Sequence, residues 1–257
     1  MTLHTASLKL RLAESEADLI AALRLRYRVF VEELGGTGPL VDHAARLERD
    51  HFDPFADHLV LVDDARPAGD HVVGVYRLMT EAGSLAAGQF YTDNEFDLAP
   101  LRATGRRLLE LGRSCVDVEH RTGAAMFHLW TGLAHFVKAH DIEILFGVAS
   151  FHGTDLDKLA QPLSLLHHRH LAPPALRVAA RPPGARAMNL IPERALDRRS
   201  AMVAVPQLIK AYLRLGGVVG DGAWVDDAFN TTDVCLIMDT ARMNAKAAGV
   251  YTQGAPS

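Results

Sequence analysis

Residues 108–118 read LLELGRSCVDV, a run that is apolar except for Glu110, Arg113, Ser114 and Asp117. Its length and apolar content predict a strand over Leu108–Val118 that lies inside a sheet. Ionised side chains are rarely buried unless they are paired. Glu110 and Arg113 are therefore the first candidates for a functional role.

Strand and helix patterns surround this run on both sides. Downstream, apolar residues at helical spacing from Phe127 to Val137 predict a helix, and Ile142–Ala149 predicts a buried strand. Upstream, His58–Val62 and Val72–Met79 predict a hairpin. The other predicted elements are a strand over Ser7–Leu12, a helix capped by Ser15 that runs to about Glu33, a helix capped by Thr154 that runs to about His170, a helix after Pro206, a strand over Asp233–Asp239 and a helix over Thr240–Ala248.

An antiparallel meander followed by a strand–helix–strand unit predicts a mixed sheet of the α/β or α+β class. Pro173-Pro174 and Pro182-Pro183 mark a loop-rich stretch. We expect residues 1–160 to form a core and residues 161–257 to form a helix-rich, basic part that completes the same domain.

The composition and the distribution of apolar residues argue against a disordered, a membrane-spanning or a secreted protein. The chain has 257 residues, 49% hydrophobic and 23% charged, which is typical of a folded protein. No stretch approaches the roughly 20 apolar residues of a spanning helix, and the N-terminal stretch lacks the pattern of a signal peptide. The two cysteines, Cys115 and Cys235, fit a reducing compartment. We therefore expect a cytoplasmic protein.

Charge is distributed unevenly along the chain. The net charge of −4 gives no indication of nucleic-acid binding. Between Arg169 and Arg214, however, nine basic residues accompany only two acidic ones. This stretch is suited to an acidic carrier protein or to the anionic face of a bilayer, and the alternative is a solvated, arginine-rich surface.

Common catalytic and metal-binding motifs are absent. The chain has no G-x-S-x-G, H-E-x-x-H, Walker or G-x-G-x-x-G pattern. The run His167-His168-Arg169-His170 is more typical of a helix end at the surface than of a metal site. We expect no bound metal.

Spaced polar motifs are more informative than any single residue. The motifs are RYRVFVEE (26–33), DHFD (50–53), YRL (76–78) and ELGR (110–113), followed by FGVASFHGTD (146–155), LLHH (165–168), KAYLRLG (210–216) and DDAFNTTDV (226–234). Taken singly, Arg77 would be expected at a solvent-exposed strand end, and Asp50 with Asp53 in a loop cap. In order and spacing, the first four motifs resemble the acyl-homoserine-lactone synthases, and the whole set resembles the ornithine-lipid N-acyltransferases. Both families belong to the GNAT superfamily.

The resemblance implies a fold and an activity. The fold would be GNAT-like: a twisted, mostly antiparallel sheet with a splayed parallel pair, flanked by helices, plus a C-terminal helical extension. The activity would be transfer of a 3-hydroxyacyl chain from an acyl carrier protein thioester to the α-amine of L-ornithine, which gives lyso-ornithine lipid. The thioester is a co-substrate, and no cofactor is implied.

The resemblance also assigns candidate site residues. Glu110 would be the general base, and backbone amides around Arg113–Val116 would bind the oxyanion. The substrate would be bound by Arg26, Phe30, Asp50, Asp53 and Arg77. Arg26, Arg77 and Arg113 are all able to bind the ornithine carboxylate, and Asp50 or Asp53 would hold its δ-ammonium.

Two departures from the related families bear on the substrates. Gly35-Gly36 stands where autoinducer synthases usually carry a tryptophan that contacts S-adenosylmethionine. The segment Arg121-Thr122-Gly123-Ala124-Ala125 lacks the glycine-rich turn that holds the pyrophosphate of coenzyme A. We expect Arg121, Gly123 and Ala124 to hold the single phosphodiester of a carrier protein's phosphopantetheine instead.

Two other functions stay open at this point. One is autoinducer synthesis from S-adenosylmethionine. The other is a non-catalytic membrane-binding protein, for which Leu163–Leu166 or Leu208–Leu213 would have to be exposed rather than part of the core. Peripheral contact with an anionic membrane is also compatible with the enzyme, because its product is an amphiphile.

Overall fold

The computed structural model describes residues 8–38, 40–121 and 123–243, and the chain forms two compact units. Of the described residues, the first unit holds 8–87 and 111–140, and the second unit holds 88–110 and 141–243. Strand β5 (Leu108–Val116) passes from the second unit to the first after Glu110.

Each unit combines strands and helices. The first unit contains the last part of β5 together with β1 (Leu8–Leu12), α1 (Glu16–Arg26), β2 (Asp57–Asp63), β3 (Val72–Thr80), α2 (Glu81–Ala87) and α4 (Gly123–Ala139). The second unit contains the first part of β5 together with β4 (Phe96–Asp97), α3 (Ala99–Arg102), β6 (Ile144–His152), α5 (Leu156–His170), β7 (Ala179–Ala180), β8 (Ala185–Arg186), α6 (Arg198–Ala204), α7 (Gln207–Arg214), β9 (Val218–Val219), β10 (Ala223–Asp226) and β11 (Thr231–Asp239).

In the first unit, β1, β2 and β3 form an antiparallel meander with helices on both faces. Alternate residues of β2 point to opposite faces. Val60 and Val62 belong to the core that includes α1 residues, whereas Leu59 lies beside Gly132 of α4. A Cβ atom at Gly132 would collide with Leu10, so this glycine allows α4 to approach β1. Burial on both faces explains why the four central residues of β2, Leu59–Val62, are all apolar.

In the second unit, most strand pairs are antiparallel. The exception is the parallel pair of β5 and β6, whose register runs from Leu108 opposite Ile144 to Glu110 opposite Phe146. Strand β6 then pairs with β11 along its whole length, β11 with β10 and β9, and β10 with β8. The predicted mixed class, a mostly antiparallel sheet with one parallel pair and flanking helices, is confirmed.

The first predicted helix changes its hydrogen-bond pattern part-way. Its start is as predicted, since the Ser15 hydroxyl accepts the N–H of Asp18 at 3.2 Å. Residues Tyr27–Glu33 form a π-helix rather than a continuation of α1, and the N–H of Leu34 donates to the Val29 carbonyl five residues back. Wide helical turns of this kind are rare and often occur at functional sites.

Other elements also differ from the prediction. The cap of α5 is Asp155 rather than Thr154, because the Asp155 carboxylate accepts the N–H groups of Asp157 and Lys158. Only a 3₁₀ turn, Thr240–Arg242, is described within the predicted terminal helix, whose residues from 244 onward lie outside the described residues. Strands β7 to β10 are two to four residues long, too short to give a periodic pattern.

Two further expectations concern the chain as a whole. In the three described segments, no helix has both the length and the apolar content needed to cross a bilayer. The expected division into a core of residues 1–160 and a C-terminal part of residues 161–257 that completes the same domain stays a prediction.

Candidate active site

Six ionised side chains meet inside the first unit, and we call them the ionic cluster. They are three arginines and three carboxylates: Arg26, Arg77, Arg113, Glu48, Asp50 and Asp53. Helix α1, strands β3 and β5, and the loop that precedes β2 each contribute to it. The formal charges cancel within the cluster, which makes its burial possible.

Arg26 is the most deeply buried member. Its side chain has no exposed surface; its Nε donates to Glu48 at 2.5 Å and its Nη1 to Asp53 at 2.6 Å. Glu48 is held in place by its own backbone, because its N–H donates to the Leu23 carbonyl of α1. The loop that carries Glu48 is thus bonded to the helix that carries Arg26.

Arg77 joins the two aspartates of the loop. Its Nη1 lies 2.6 Å from Asp50 and 3.0 Å from Asp53, and its guanidinium lies 5.6 Å from the centre of the Phe52 ring. The aspartates also fold the loop itself: Asp53 accepts the N–H of Asp50, and Asp50 accepts the N–H of Phe52. The two aspartates therefore cap the loop, as expected, and they also form ion pairs with Arg77. The expectation that Arg77 faces solvent is wrong, because its side chain is only 2% exposed.

Arg113 connects the cluster to the strand that opened the sequence analysis. Its Nη2 donates to Asp50 at 2.9 Å, and its Nε lies 3.4 Å from Glu48. Its backbone φ is +51°, in the left-handed region that side chains other than glycine rarely adopt. Such a conformation costs about 1–3 kcal/mol and persists only where surrounding contacts enforce it. The ion pairs of Arg113 provide such contacts.

The arginines keep the carboxylates of the cluster ionised. Burial alone would raise the pKa of Glu48, but Arg113 and Arg26 lower it below its ordinary value. Burial would also raise the pKa values of Asp50 and Asp53, and the neighbouring arginines again lower them by more. Burial would lower the pKa of Arg26, but Glu48 and Asp53 raise it above its usual value.

Glu110 lies in the second unit, at the end of the parallel pairing of β5. Its side chain is buried, and its two carboxylate oxygens accept the N–H groups of Tyr91 at 3.0 Å and Thr92 at 2.6 Å. Two rigid backbone donors fix the position of the carboxylate. Glu110 therefore points neither into bulk water nor into a purely apolar core.

The other predicted site residues lie outside the ionic cluster. Phe30, in the π-helix, packs against the apolar core between α1 and the sheet. Arg121 is partly exposed; its Nη2 donates to Glu33 at 2.6 Å and its Nε to the Val116 carbonyl. Gly123 and Ala124 are exposed in the first turn of α4. The structure thus brings together Arg26, Asp50, Asp53, Arg77 and Arg113, and places the other candidates elsewhere.

Both cysteines are unsuited to nucleophilic catalysis. They are buried and form no disulfide. Burial raises the pKa of the Cys115 thiol to about 12, and it also raises the pKa of Cys235. A thiol with such a pKa stays protonated at neutral pH and is a poor nucleophile.

One group of carboxylates in the second unit has the spacing of a cation site. Oxygen atoms of Glu95, Asp226 and Asp233 lie within 4.8 Å of one another, and Glu95 and Asp233 are buried. Among the described residues, these three carboxylates have the spacing of metal ligands, and no histidine of the run 167–170 belongs to such a group. Acidic groups of this kind also occur without a metal, so we assign no ligand to them.

Sequence analysis missed two residues next to the predicted ones. Glu48 is buried like Arg26, to which it binds, but it lies two residues before the motif DHFD and is not part of any of the spaced motifs. His58 is buried and its Nε2–H donates to the backbone carbonyl of Asp53 at 3.1 Å. Burial, together with Arg26, lowers the pKa of His58 to about 4. The only available signal was their position within ten residues of Asp50 and Asp53.

The comparisons with known proteins agree with this architecture. Residues 25–131 match the family described as acetyltransferase (GNAT) domain. The chain is 59% identical over 249 residues to an L-ornithine N(α)-acyltransferase from Rhodobacter capsulatus, an alignment that covers 96% of this chain and 95% of the relative. The chain belongs to the L-ornithine N(α)-acyltransferase family.

More distant members of this family are also similar over nearly the whole chain. The L-ornithine N(α)-acyltransferase from Brucella abortus is 41% identical, with 95% of this chain and 89% of the relative covered, and the one from Rhizobium meliloti is 40% identical, with 96% and 84% covered. The family prediction made from the spaced motifs is confirmed.

Solved structures show the same fold at low sequence identity. The AHL synthase LasI is 15% identical, with a TM-score of 0.51 and 98% of each chain covered. FeeM, an N-acyl amino acid synthase from uncultured soil microbes, is 13% identical, with a TM-score of 0.50, 95% of this chain and 98% of FeeM covered. These similarities support the fold of this family member and do not bear on its substrates.

The lowered pKa of His58 predicts a pH dependence of stability. In the unfolded chain the pKa is about 6.5, and in the folded chain it is about 4, so the unfolded state binds more protons between these values. The contribution of His58 to stability is therefore greatest above pH 6.5 and falls by about 3 kcal/mol as the pH is lowered to 4, because each pKa unit corresponds to about 1.4 kcal/mol. Urea unfolding of wild type and of His58→Gln, measured from pH 7 to pH 4.5, should show a weaker pH dependence in the variant.

The exposed His51 provides the matched control, since His51→Gln removes a histidine that is not buried. Its stability should follow the wild-type pH curve. Identical curves for wild type and His58→Gln would show that His58 is protonated as easily in the folded state as in the unfolded one.

Proposed function

We propose that this chain transfers a 3-hydroxyacyl group from an acyl carrier protein thioester to the α-amine of L-ornithine. The carbonyl carbon forms a bond to the amine nitrogen and loses its bond to sulfur, so the products are lyso-ornithine lipid and the free thiol of the carrier. The observation that carries this proposal is the near full-length identity of 59% to a relative named for acyl transfer to ornithine. No cofactor is needed beyond the thioester co-substrate.

Proton removal is the first chemical requirement. A free α-amino group has a pKa near 8, so at neutral pH most of it is protonated and unable to attack a thioester. Glu110 is the proposed base, either directly or through a water molecule. Its fixation by the N–H groups of Tyr91 and Thr92 supports this role, because a base must stay in place as the proton moves.

Stabilisation of the oxyanion is the second requirement. Attack on the thioester gives a tetrahedral intermediate whose oxygen needs preorganised donors, each worth about 3–4 kcal/mol. We assign this role to backbone N–H groups in Arg113–Val116. The left-handed backbone of Arg113 supports the assignment, since it interrupts the regular strand conformation within this segment.

Exposure within the ionic cluster narrows the choice of residues that hold ornithine. Arg113 and Asp50 have 14% and 16% of their side chains exposed, whereas Arg26, Asp53 and Arg77 have 5% or less. We therefore propose that Arg113 binds the carboxylate of ornithine and that Asp50 binds its δ-ammonium. The more deeply buried Arg26, Asp53 and Arg77 would hold Arg113 and Asp50 in position through the ion pairs of the cluster.

The carrier protein is the proposed donor for two reasons. The exposed first turn of α4 carries a single glycine, Gly123, where coenzyme A requires a glycine-rich turn, and it is suited to one phosphodiester. The part of the basic stretch that precedes Arg199, residues 169–198, has six basic and two acidic residues and is complementary to an acidic carrier. Arg121 would reach the phosphodiester by exchanging its partner Glu33 for it.

The proposed location is the cytoplasm, with peripheral contact to an anionic membrane. Both cysteines are free, as in proteins of a reducing compartment. The product carries an acyl chain and must reach a bilayer.

The direct test is the identity of the amine that is acylated. The purified chain is incubated with a 3-hydroxyacyl carrier protein thioester and either L-ornithine, norvaline or S-adenosylmethionine, and the products are identified by mass spectrometry. We expect acylated ornithine, and much less product with norvaline, which lacks the δ-ammonium. Formation of an acyl-homoserine lactone with methylthioadenosine would instead identify an autoinducer synthase, and an equal rate with norvaline would contradict the assignment of Asp50.

The role of Glu110 is tested by Glu110→Gln. Glutamine keeps the shape of the side chain and is not a base, but its NH2 group would face the N–H of Tyr91 or Thr92. Circular dichroism and urea unfolding therefore check that the variant is folded, and turnover of the folded variant should fall by about 10²-fold or more. Glu119→Gln is the matched control, because Glu119 is 74% exposed, and it should have wild-type turnover. Wild-type turnover of Glu110→Gln would remove Glu110 from the mechanism.

A further inference from the structure

Helices α6 and α7 form a groove in the second unit, outside the site described above. Its volume is about 390 Å³, and we call it the basic groove. It is lined by Arg199, Met202, Val203, Gln207, Lys210 and Arg214. The Lys210 ammonium donates to the Val203 carbonyl at 2.8 Å, which links the end of α6 to α7. The groove therefore lies between two helices that are joined by a hydrogen bond.

Among the described residues, the cations of the groove form no ion pairs, and the carboxylate of the neighbouring Asp197 accepts the backbone N–H groups of Arg199 and Ser200 instead. Throughout residues 8–38, 40–121 and 123–243, no carboxylate forms an ion pair with Arg199, Lys210 or Arg214, while the nearby Glu193 is engaged by Arg169 and Arg198. Between Leu190 and Leu215 the sequence has five basic and only two acidic residues. An excess of positive charge at a surface attracts an anionic partner.

Apolar side chains lie beside these cations. Val203 is 73% exposed, and it lies four residues after Arg199, so both side chains project from the same face of α6. Met202, next to it, is half-buried. In α7, Lys210 and Arg214 are likewise four residues apart. The groove thus presents charge and apolar surface side by side.

This combination favours a lipid surface over an acidic protein. A bilayer offers anionic phosphates and, a few Å below them, an apolar layer, so a cation and a neighbouring valine are both satisfied at once. A specific protein interface typically centres on aromatic anchors and keeps its charges at the rim. The lining of the basic groove includes no aromatic residue, and its cations line the groove itself.

We propose that the basic groove docks this chain on the surface of an anionic phospholipid bilayer, with Arg199, Lys210 and Arg214 at the lipid phosphates and Val203 in the apolar layer beneath. The groove would hold the chain where the proposed product, an amphiphile, enters the membrane. Only this last statement rests on the proposed function, because docking itself requires no substrate.

Vesicle flotation tests the proposal without any substrate. The full chain is mixed with phosphatidylcholine vesicles with and without phosphatidylglycerol, at about 0.1 M and about 1 M salt. We expect binding only to vesicles that contain phosphatidylglycerol, and much weaker binding at the higher salt. The variant Arg199→Gln/Lys210→Gln/Arg214→Gln should bind about 100-fold more weakly, since each basic residue contributes about 1 kcal/mol at such a surface.

Two further variants separate the contributions. Lys9→Gln/Lys138→Gln/Lys158→Gln removes the same charge from exposed lysines outside the groove and should bind like wild type. Val203→Asn should weaken binding about tenfold, with a loss that persists at high salt because it removes apolar contact rather than charge.

The results distinguish a failure of the docking surface from a failure of the proposed acyl transfer to ornithine. Failure of wild type to bind phosphatidylglycerol vesicles, or equal losses in the two triple variants, would overturn the docking surface. Unchanged flotation of the groove variant, together with a raised KM for the carrier thioester, would assign the groove to the carrier protein instead. A chain that binds vesicles but acylates no ornithine would leave the docking surface standing and contradict the proposed function alone.

Discussion

The ionic cluster of the first unit is neutral only while the number of its arginines equals the number of its carboxylates. Arg26 is entirely buried and depends on Glu48 and Asp53 for the compensation of its charge, and those carboxylates depend on it in turn. Loss of one partner from a buried pair costs about 3–5 kcal/mol, because the remaining charge is left without compensation. Such a loss is a large part of the 5–15 kcal/mol by which proteins are normally stable. The cluster therefore joins the end of α1, the loop before β2 and the strands β3 and β5 into one arrangement.

This arrangement determines the shape of the strand that carries the candidate catalytic residues. Arg113 holds a left-handed backbone in the middle of β5 while its guanidinium binds Asp50. Three residues earlier, Glu110 is fixed by two backbone N–H groups from its own unit. Both ends of this short segment are thus held by hydrogen-bonded groups. Preorganisation of this kind is what general-base and oxyanion chemistry require, and here it comes from ion pairs and backbone N–H groups.

Much of this was predictable from the sequence. Apolar periodicity located β2, β3, β5, β6 and α4, because each has a face or a whole length that must be buried. The spaced motifs located five of the six members of the ionic cluster. Periodicity could not show that the helix after Arg26 changes to a π-helix, since both forms bury a similar stripe. It also missed Glu48, because a buried carboxylate and a solvated one have the same sequence signature until the arginine that pairs with it is known. Very short strands such as β10 depend on their partners and leave no pattern of their own.

The mutual dependence of the cluster is tested most directly by a double-mutant cycle on Glu48 and Arg26. Chemical unfolding would give the free energies of unfolding of wild type, Glu48→Gln, Arg26→Met and the double variant. Each single change leaves one uncompensated buried charge, whereas the double change leaves two arginines and two aspartates, which are neutral together. We predict losses of about 3–5 kcal/mol for each single variant and a loss for the double variant that is well below their sum. Strictly additive losses would contradict the view that the balance of charge within the cluster holds this part of the fold together.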